Sequence, residues 1–172
     1  CESGDLHTMV CSMAWHDLAW PDPEEFLDDS KGLKKAMRYI ADQIAYRQDS
    51  YRQLAKKLGH GTNFYGKPHT MAKHAKMAKQ IIEEFQDRYF EAFPAIRGYH
   101  EWVREQLGEY SYITTPLGRR RAFFGRPYED STLREAIAYS PQSMTADEVD
   151  RGMLQLWRQR KQWDMHTMIQ VH

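Results

Sequence analysis

The sequence predicts an α+β fold, predominantly α-helical, with one small antiparallel β element. Three observations carry this. Apolar residues recur at helical spacing along most of the 172 residues. The period changes over one short stretch, residues 111–124, which is interrupted by Pro and Gly. No apolar run approaches the roughly 20 residues that a membrane helix needs.

Taken in order, Asp5 to Trp15 reads as a helix, followed by an acidic loop around Pro21-Asp22-Pro23. A second helix is expected from Leu33 to about Tyr46, with Leu33, Met37, Ile40 and Ile44 on one face. A third runs from about Ser50 to Leu58 and is expected to stop at Gly59 and Gly61, leaving 59–69 as a loop. A basic helix follows Pro68, then a long one striped by Ile82, Phe85, Tyr89 and Ala92. Pro94 punctuates it, and Ile96, Tyr99, Val103 and Leu107 carry the period on to Gly108. Residues 111–114 and 121–124 flank Thr115-Pro116-Leu117-Gly118 and predict a hairpin. Thr132 with Glu135, and Thr145 with Glu148, fit capping boxes for two helices on either side of Pro141. Trp157 and Trp163, with Val149, Met153 and Leu156, read as core, and Met71 and Met77 as gap fillers. Met165 to His172 reads as a final strand. The expected organisation is one incomplete domain, helical over 1–108, with the hairpin, further helices and the strand over 109–172.

A formal charge of zero hides segregation. Residues 1–30 hold eight acids and no Lys or Arg, whereas residues 31–80 hold twelve basic residues and two acids. Such a local excess is a candidate anion-binding surface whatever the total. Two cysteines, Cys1 and Cys11, cannot build a disulfide framework, so a reducing cytoplasm is expected. The first residues lack the basic and apolar regions of a signal peptide. The chain begins at Cys1 and ends in the apolar run Met168-Ile169-Gln170-Val171-His172, which suggests a fragment of a longer chain.

Arg52, Lys56 and His60 are spaced i, i+4, i+8 and so project from one helical face. Arg as a bidentate fork and Lys as a point charge suit a polyphosphate. Leu54 and Leu58 lie elsewhere on the helix, and Gly59 and Gly61 would let a ligand approach the backbone. Spacing alone fits a solvated basic face better than a phosphate site. A helical, non-catalytic nucleic-acid-binding module using residues 31–80 with Tyr51, Phe64 and Tyr65 is the alternative reading. Eight histidines raise a metal-dependent hydrolase, but His69 and His74 are five residues apart and no HExxH or CxxC occurs.

Six elements occur in a specific order. They are Gly4-Asp5-Leu6-His7-Thr8; Arg52-Gln53-Leu54-Ala55-Lys56 continuing through His60-Gly61 to Phe64-Tyr65-Gly66; and Phe90-Glu91-Ala92-Phe93-Pro94-Ala95-Ile96. Then come Thr114-Thr115-Pro116-Leu117-Gly118-Arg119-Arg120-Arg121; Arg134-Glu135-Ala136-Ile137 with Pro141-Gln142-Ser143-Met144-Thr145-Ala146-Asp147; and Ile169-Gln170-Val171-His172. Together they resemble the motif series of family A, DNA polymerase I-like, DNA polymerases, over the fingers and the adjoining palm.

The resemblance implies part of a template-directed DNA polymerase whose partners are deoxynucleoside triphosphates and primer–template DNA, with no membrane and no oligomer expected. Arg52 and Lys56 would hold the phosphates of the incoming nucleotide, assisted by His7, and Phe64 or Tyr65 would stack near a base. His60 stands where the family has a Phe or Tyr packing on the sugar. Arg134, Gln142 and His172 would contact the duplex, with Arg119, Arg120 and Arg121 on its backbone. Ala138 replaces the family's Asn. The parent would use Mg2+, but its carboxylate ligands would lie outside this chain, so the chain holds no metal ligand and no catalytic residue of its own.

Overall fold

Side-chain caps start three of the helices. In the computed structural model, which describes residues 5–163, Asp5 accepts from the Thr8 amide and hydroxyl at 3.3 and 2.9 Å and opens α1, Leu6–Ala14. Asp29 accepts from the Gly32 amide at 2.8 Å and opens α2, Ser30–Ala41. Ser50 and Gln53 form a reciprocal capping box that opens α3, Tyr51–Asn63. Then follow α4, Pro68–Ala75, with Pro at its first turn; α5, Lys79–Ala92; and α6, Pro94–Tyr110.

The chain divides into two compact units, Cys1–His100 and Glu101–His172. In the first, α1 packs on α3 and α5, and α4 packs on α5. Val10, Cys11, Ala55, Leu58, Ile82, Phe85 and Tyr89 are buried together there. Burial pushes the Cys11 thiol up to about 12, so it is a neutral core side chain. Trp15 meets Tyr51 and Phe85 with ring centroids 5.4 and 5.7 Å away, closing one end of this core. Met71 fills the space beside Gly61 and Gly66, the gap-filling role expected of it.

The second helix departs from expectation. It starts three residues earlier than Leu33 and ends at Ala41, so Ile44 is not on its face. Instead Ile44–Tyr46 forms β1, pairing antiparallel with β2, Asp49–Ser50, around Arg47, whose φ is +56°. Arg38 holds Asp42 at the helix end, and pairing of Ile44 with Ser50 turns the chain directly into the α3 cap. Ile44 is left 63% exposed. Nor do Gly59 and Gly61 stop α3. They lie in helix because the space a Cβ would need is taken by other elements: 3.3 Å from the Tyr89 ring at Gly59, and 2.9 Å from the Met71 methyl at Gly61. What these glycines admit on that side is neighbouring protein.

The end of α3 has the bonding of a Schellman motif. The Tyr65 amide donates to the Thr62 carbonyl at 3.2 Å, and the Gly66 amide to the Gly61 carbonyl at 2.7 Å. Tyr65 occupies the left-handed position with φ +61°, where glycine is usual.

In the second unit the hairpin forms as expected. β3, Tyr112–Thr114, pairs with β4, Arg120–Ala122, in the register Tyr112↔Ala122, Ile113↔Arg121, Thr114↔Arg120. The Gly118 amide donates to the Thr115 carbonyl at 2.8 Å, with Pro116 inside the turn and Gly118 at φ +86°. β3 packs on the last helix, whose Leu133, Ala136 and Ile137 are buried, as are Ile113 and Phe123 of the hairpin.

That helix, α7, is continuous over Asp130–Gln159, with Pro141 inside it, in place of the two helices expected. The Thr145 hydroxyl is turned back onto the Pro141 carbonyl at 2.9 Å and therefore cannot cap a new start. The other expected box also fails to form: the helix begins ahead of Thr132, and Glu135 is taken by Arg121. The distal half of α7 corrects a further reading. Val149, Leu156, Trp157 and Trp163 are 39–61% exposed, because no described element of this unit covers that side; Arg160 stacks over Trp157 at 3.9 Å. On α5, Ala92 is exposed while Ile82, Phe85 and Tyr89 are buried. The expected strand from Met165 and the candidate His172 lie outside the described residues.

Candidate functional site

The helix α3 has two chemically distinct faces. Leu54, Ala55, Leu58 and Thr62 are buried, at 1–2% exposure, against the core. Arg52, Lys56 and His60 stand on the other side, one turn apart. Lys56 and His60 are exposed, and Arg52 is half-buried.

α1 brings His7 alongside them. A cleft of about 740 Å³ is lined by Leu6 and His7 of α1, Lys56, His60 and Asn63 of α3, and Tyr89 of α5. Burial lowers the His7 pKa, and the positive charges of Arg52 and Lys56 lower it further, with Asp5 opposing. At neutral pH the His7 ring is therefore uncharged and keeps one N–H to donate. Arg52 is not in this lining. It faces an adjoining cleft of about 840 Å³ with Arg38, and Leu6 and His7 line both clefts.

Arg52 is held by a fork. Its Nε and Nη2 donate to the two Asp5 carboxylate oxygens at 3.0 and 3.1 Å, and Arg38 donates to the same carboxylate at 3.0 Å. Burial alone would raise the Asp5 pKa, but the hydrogen bonds from Arg52 and Thr8 override it and hold the carboxyl well below the usual carboxylate range. Asp5 is thus both the cap of α1 and the anchor of the first α3 cation. Asp5→Asn should keep the cap, since Asn caps as well as Asp, but lose the charge. We expect it to cost about 1–2 kcal/mol at pH 7, allowing for partial exposure. The sign follows from a folded pKa below the unfolded one. The wild type holds this advantage above about pH 4 and loses it as pH falls through the folded value. Thermal melts of both proteins should therefore converge as pH is lowered from 5 towards 2; a gap independent of pH would refute the ionic role.

Phe64 and Tyr65, the two candidates for stacking, point into different settings. Phe64 is the C-terminal cap residue, its ring 4.7 Å from His60, one turn back on the same face. Tyr65 turns away in its left-handed conformation, its ring 5.4 Å edge-on from His100 and 4.3 Å under the Lys67 ammonium. The Phe64 side chain thus continues the row of Arg52, Lys56 and His60.

Residues that the sequence reading overlooked fix this end of α3. Buried Gln86 donates from Nε2 to the Gly66 carbonyl at 2.8 Å and to the Thr62 hydroxyl at 3.3 Å. Tyr89 donates to Asn63 Oδ1 at 3.0 Å, and His100 Nε2 lies 2.8 Å from the Asn63 carbonyl oxygen. Burial keeps the His100 pKa low, so the ring is neutral at pH 7 and its Nε2–H can donate. The available signal was a polar residue on an apolar stripe: Gln86 sits four after Ile82, and His100 three before Val103.

The remaining candidates lie in the second unit. Arg119 pairs with Asp147. Arg120 stacks over Tyr112 at 4.3 Å. Arg121 pairs with Glu135 and lies over Phe123. Arg134 and Gln142 are exposed on α7, two turns apart. Among the described residues no three His, Cys, Asp or Glu side chains converge as metal ligands would.

The fold is that of a polymerase domain. The POL domain of Pol1 from M. smegmatis, solved in complex with DNA primer-template and dNTP, superposes with a TM-score of 0.69 at 20% identity, covering 98% of this chain and 26% of that one. The thermostable DNA polymerase I of Thermus filiformis is 28% identical over 126 residues, and the DNA polymerase I of Bacillus caldotenax 27% over 128, each match covering 70% of this chain. The family model for DNA polymerase family A matches residues 34–172, and the chain belongs to that family. It spans about 15% of the length of these two relatives.

Proposed function

We propose that this chain is the nucleotide-gripping part of a template-directed DNA polymerase, which transfers deoxynucleotides onto a primer 3′ end. The observation that carries the reading is the polar face of α3: Arg52, Lys56 and His60 in a row, opposite a buried face, with His7 alongside. Charged donors on a rigid element offset the negative charge of phosphates without reorganising at the moment of transfer. Arg52 and Lys56 hold the phosphates, and neutral His7 donates one hydrogen bond. His60 and Phe64, ring against ring at the far end of the row, offer a surface for the sugar and base. Lys56 is not tied down by a described ion pair and meets the anion directly.

Duplex contacts fall to the second unit. Exposed Arg134 reaches phosphate, and Gln142 reads a minor-groove edge. Arg119, Arg120 and Arg121 add backbone contacts, sharing their charge with Asp147, the Tyr112 ring and Glu135. Mg2+ belongs to the parent enzyme. In this reading the chain contributes binding and orientation.

The parent polypeptide, purified with the sequence flanking this segment, should extend a primer on a template when given Mg2+ and all four deoxynucleoside triphosphates. Absence of extension would overturn the reading. A photoreactive deoxynucleotide should crosslink to residues 52–65; labelling only by DNA would favour a non-catalytic nucleic-acid-binding module.

A further inference from the structure

Side chains from α5 and α6 converge on the last turn of α3, and packing alone does not require them to be polar. The carbonyls of His60, Gly61 and Thr62 accept backbone amides within the turn itself. The next carbonyl, that of Asn63, takes His100 Nε2 at 2.8 Å, from 37 positions along the chain. Tyr89 donates to the Asn63 side chain at 3.0 Å, and Gln86 to the Gly66 carbonyl at 2.8 Å. Gln86 and His100 are only 8% and 6% exposed. A polar group in such a setting costs free energy unless it is hydrogen-bonded, and an apolar residue would fill the same space. What these two bonds add is a fixed position for the turn.

Phe64 lies where that position matters. It is the C-cap of α3, its backbone already outside the helical range at φ −95° and ψ 30°, and Tyr65 after it is left-handed at φ +61°. A side chain other than glycine adopts that conformation only at a cost, so the turn relies on partners from outside it. The two acceptors, Asn63 and Gly66, bracket Phe64 and Tyr65. A shift of this turn moves the Phe64 ring relative to His60, now 4.7 Å away, and leaves Lys56, well back in the helix, in place.

We propose that Gln86 and His100 are positioning residues for base selection: by holding the Gly66 and Asn63 carbonyls they set the direction of the Phe64 ring against which the incoming base is read. The proposal rests on the α3 reading for the role of Phe64. It separates the two ends of the row, since the clamp governs the aromatic end and not the phosphate end.

In the parent enzyme, the test compares kcat/KM for a matched and a mismatched deoxynucleotide opposite one template base. Inorganic tripolyphosphate serves as a competing ligand that has phosphates and no base. His100→Leu and Gln86→Leu should each lower the matched-to-mismatched ratio about tenfold, the scale of a small misplacement at a reading surface. His100→Gln, whose amide stands at a similar remove from the backbone as the histidine Nε2, should recover the ratio to within about threefold of wild type. Inhibition by tripolyphosphate should change less than about twofold in all three variants. Hydrogen exchange followed by mass spectrometry should be faster at residues 64–66 in both leucine variants and unchanged at residues 54–58. Four results would each overturn the proposal: unchanged exchange at 64–66, faster exchange there with an unchanged ratio, a ratio that His100→Gln does not recover, or an equal loss of tripolyphosphate inhibition. If neither Lys56→Ala nor tripolyphosphate affected incorporation, the nucleotide role of α3 would fall, and this proposal with it. Failure of the leucine variants alone would remove only the positioning role.

Discussion

In the parent enzyme, Lys56→Ala is expected to lower kcat/KM for deoxynucleotide incorporation by about 10²–10³-fold, and to leave primer–template affinity nearly unchanged. The magnitude is that of removing one charged donor from a preorganised site. Lys56 reaches the cleft from the middle of the α3 row, between Arg52 and His60, so its loss cannot be covered by shortening the row from either end. Arg52 does not take its place, because it lines the adjoining cleft and not the one that Lys56 lines. Because Lys56 is exposed, its removal should leave the unfolding free energy within about 0.5 kcal/mol of wild type. Steady-state incorporation of a single nucleotide, alongside duplex binding by anisotropy, separates the cases. Equal loss of both would show that Lys56 serves the DNA and not the nucleotide.

Leu58→Ala should do the reverse. Leu58 is 2% exposed on the opposite face of the same helix, in the cluster with Val10, Ile82 and Phe85. Removing its side chain costs the transfer energy of the lost groups and leaves a cavity, about 2–5 kcal/mol in all. All four cationic and histidine side chains of the proposed grip remain in place. Denaturant unfolding should therefore show a markedly lower midpoint, while incorporation at low temperature, where the variant is folded, stays within a few-fold of wild type. A stable Leu58→Ala protein with severely impaired incorporation would mean that the two faces had been assigned the wrong way round. Together the two substitutions test the division of labour on one helix: one face binds, the other holds.

Much of this division was legible in the residues. The i, i+4, i+8 spacing of Arg52, Lys56 and His60, set against Leu54 and Leu58, defines both faces before any contact is known. The hairpin around Pro116 and Gly118 was equally plain, since a tight turn leaves few choices of residue. Long-range partners were not legible. That Asp5 anchors Arg52, 47 positions away, depends on how α1 crosses α3. Gln86 and His100 looked like interruptions of apolar stripes, and they gain meaning only from the backbone groups of residues 63 and 66 that they meet.

The local breakers misled for the same reason. Gly59, Gly61 and Pro141 are penalised in isolated helices by about 1 kcal/mol for glycine and 3 for proline, and propensity alone would end the helices there. Tertiary packing outweighs those penalties: Tyr89 and Met71 fill the glycine sides, and the buried face of α7 anchors the helix ahead of Pro141. The sequence by itself determined the helical class, the basic face of α3 and the ordered motifs of family A, because each depends on residue type at short spacing. Only the tertiary structure decided where the helices end, which carboxylate holds Arg52 and which side of each glycine is closed. Those depend on atoms far apart in the chain that folding brings within a few ångströms.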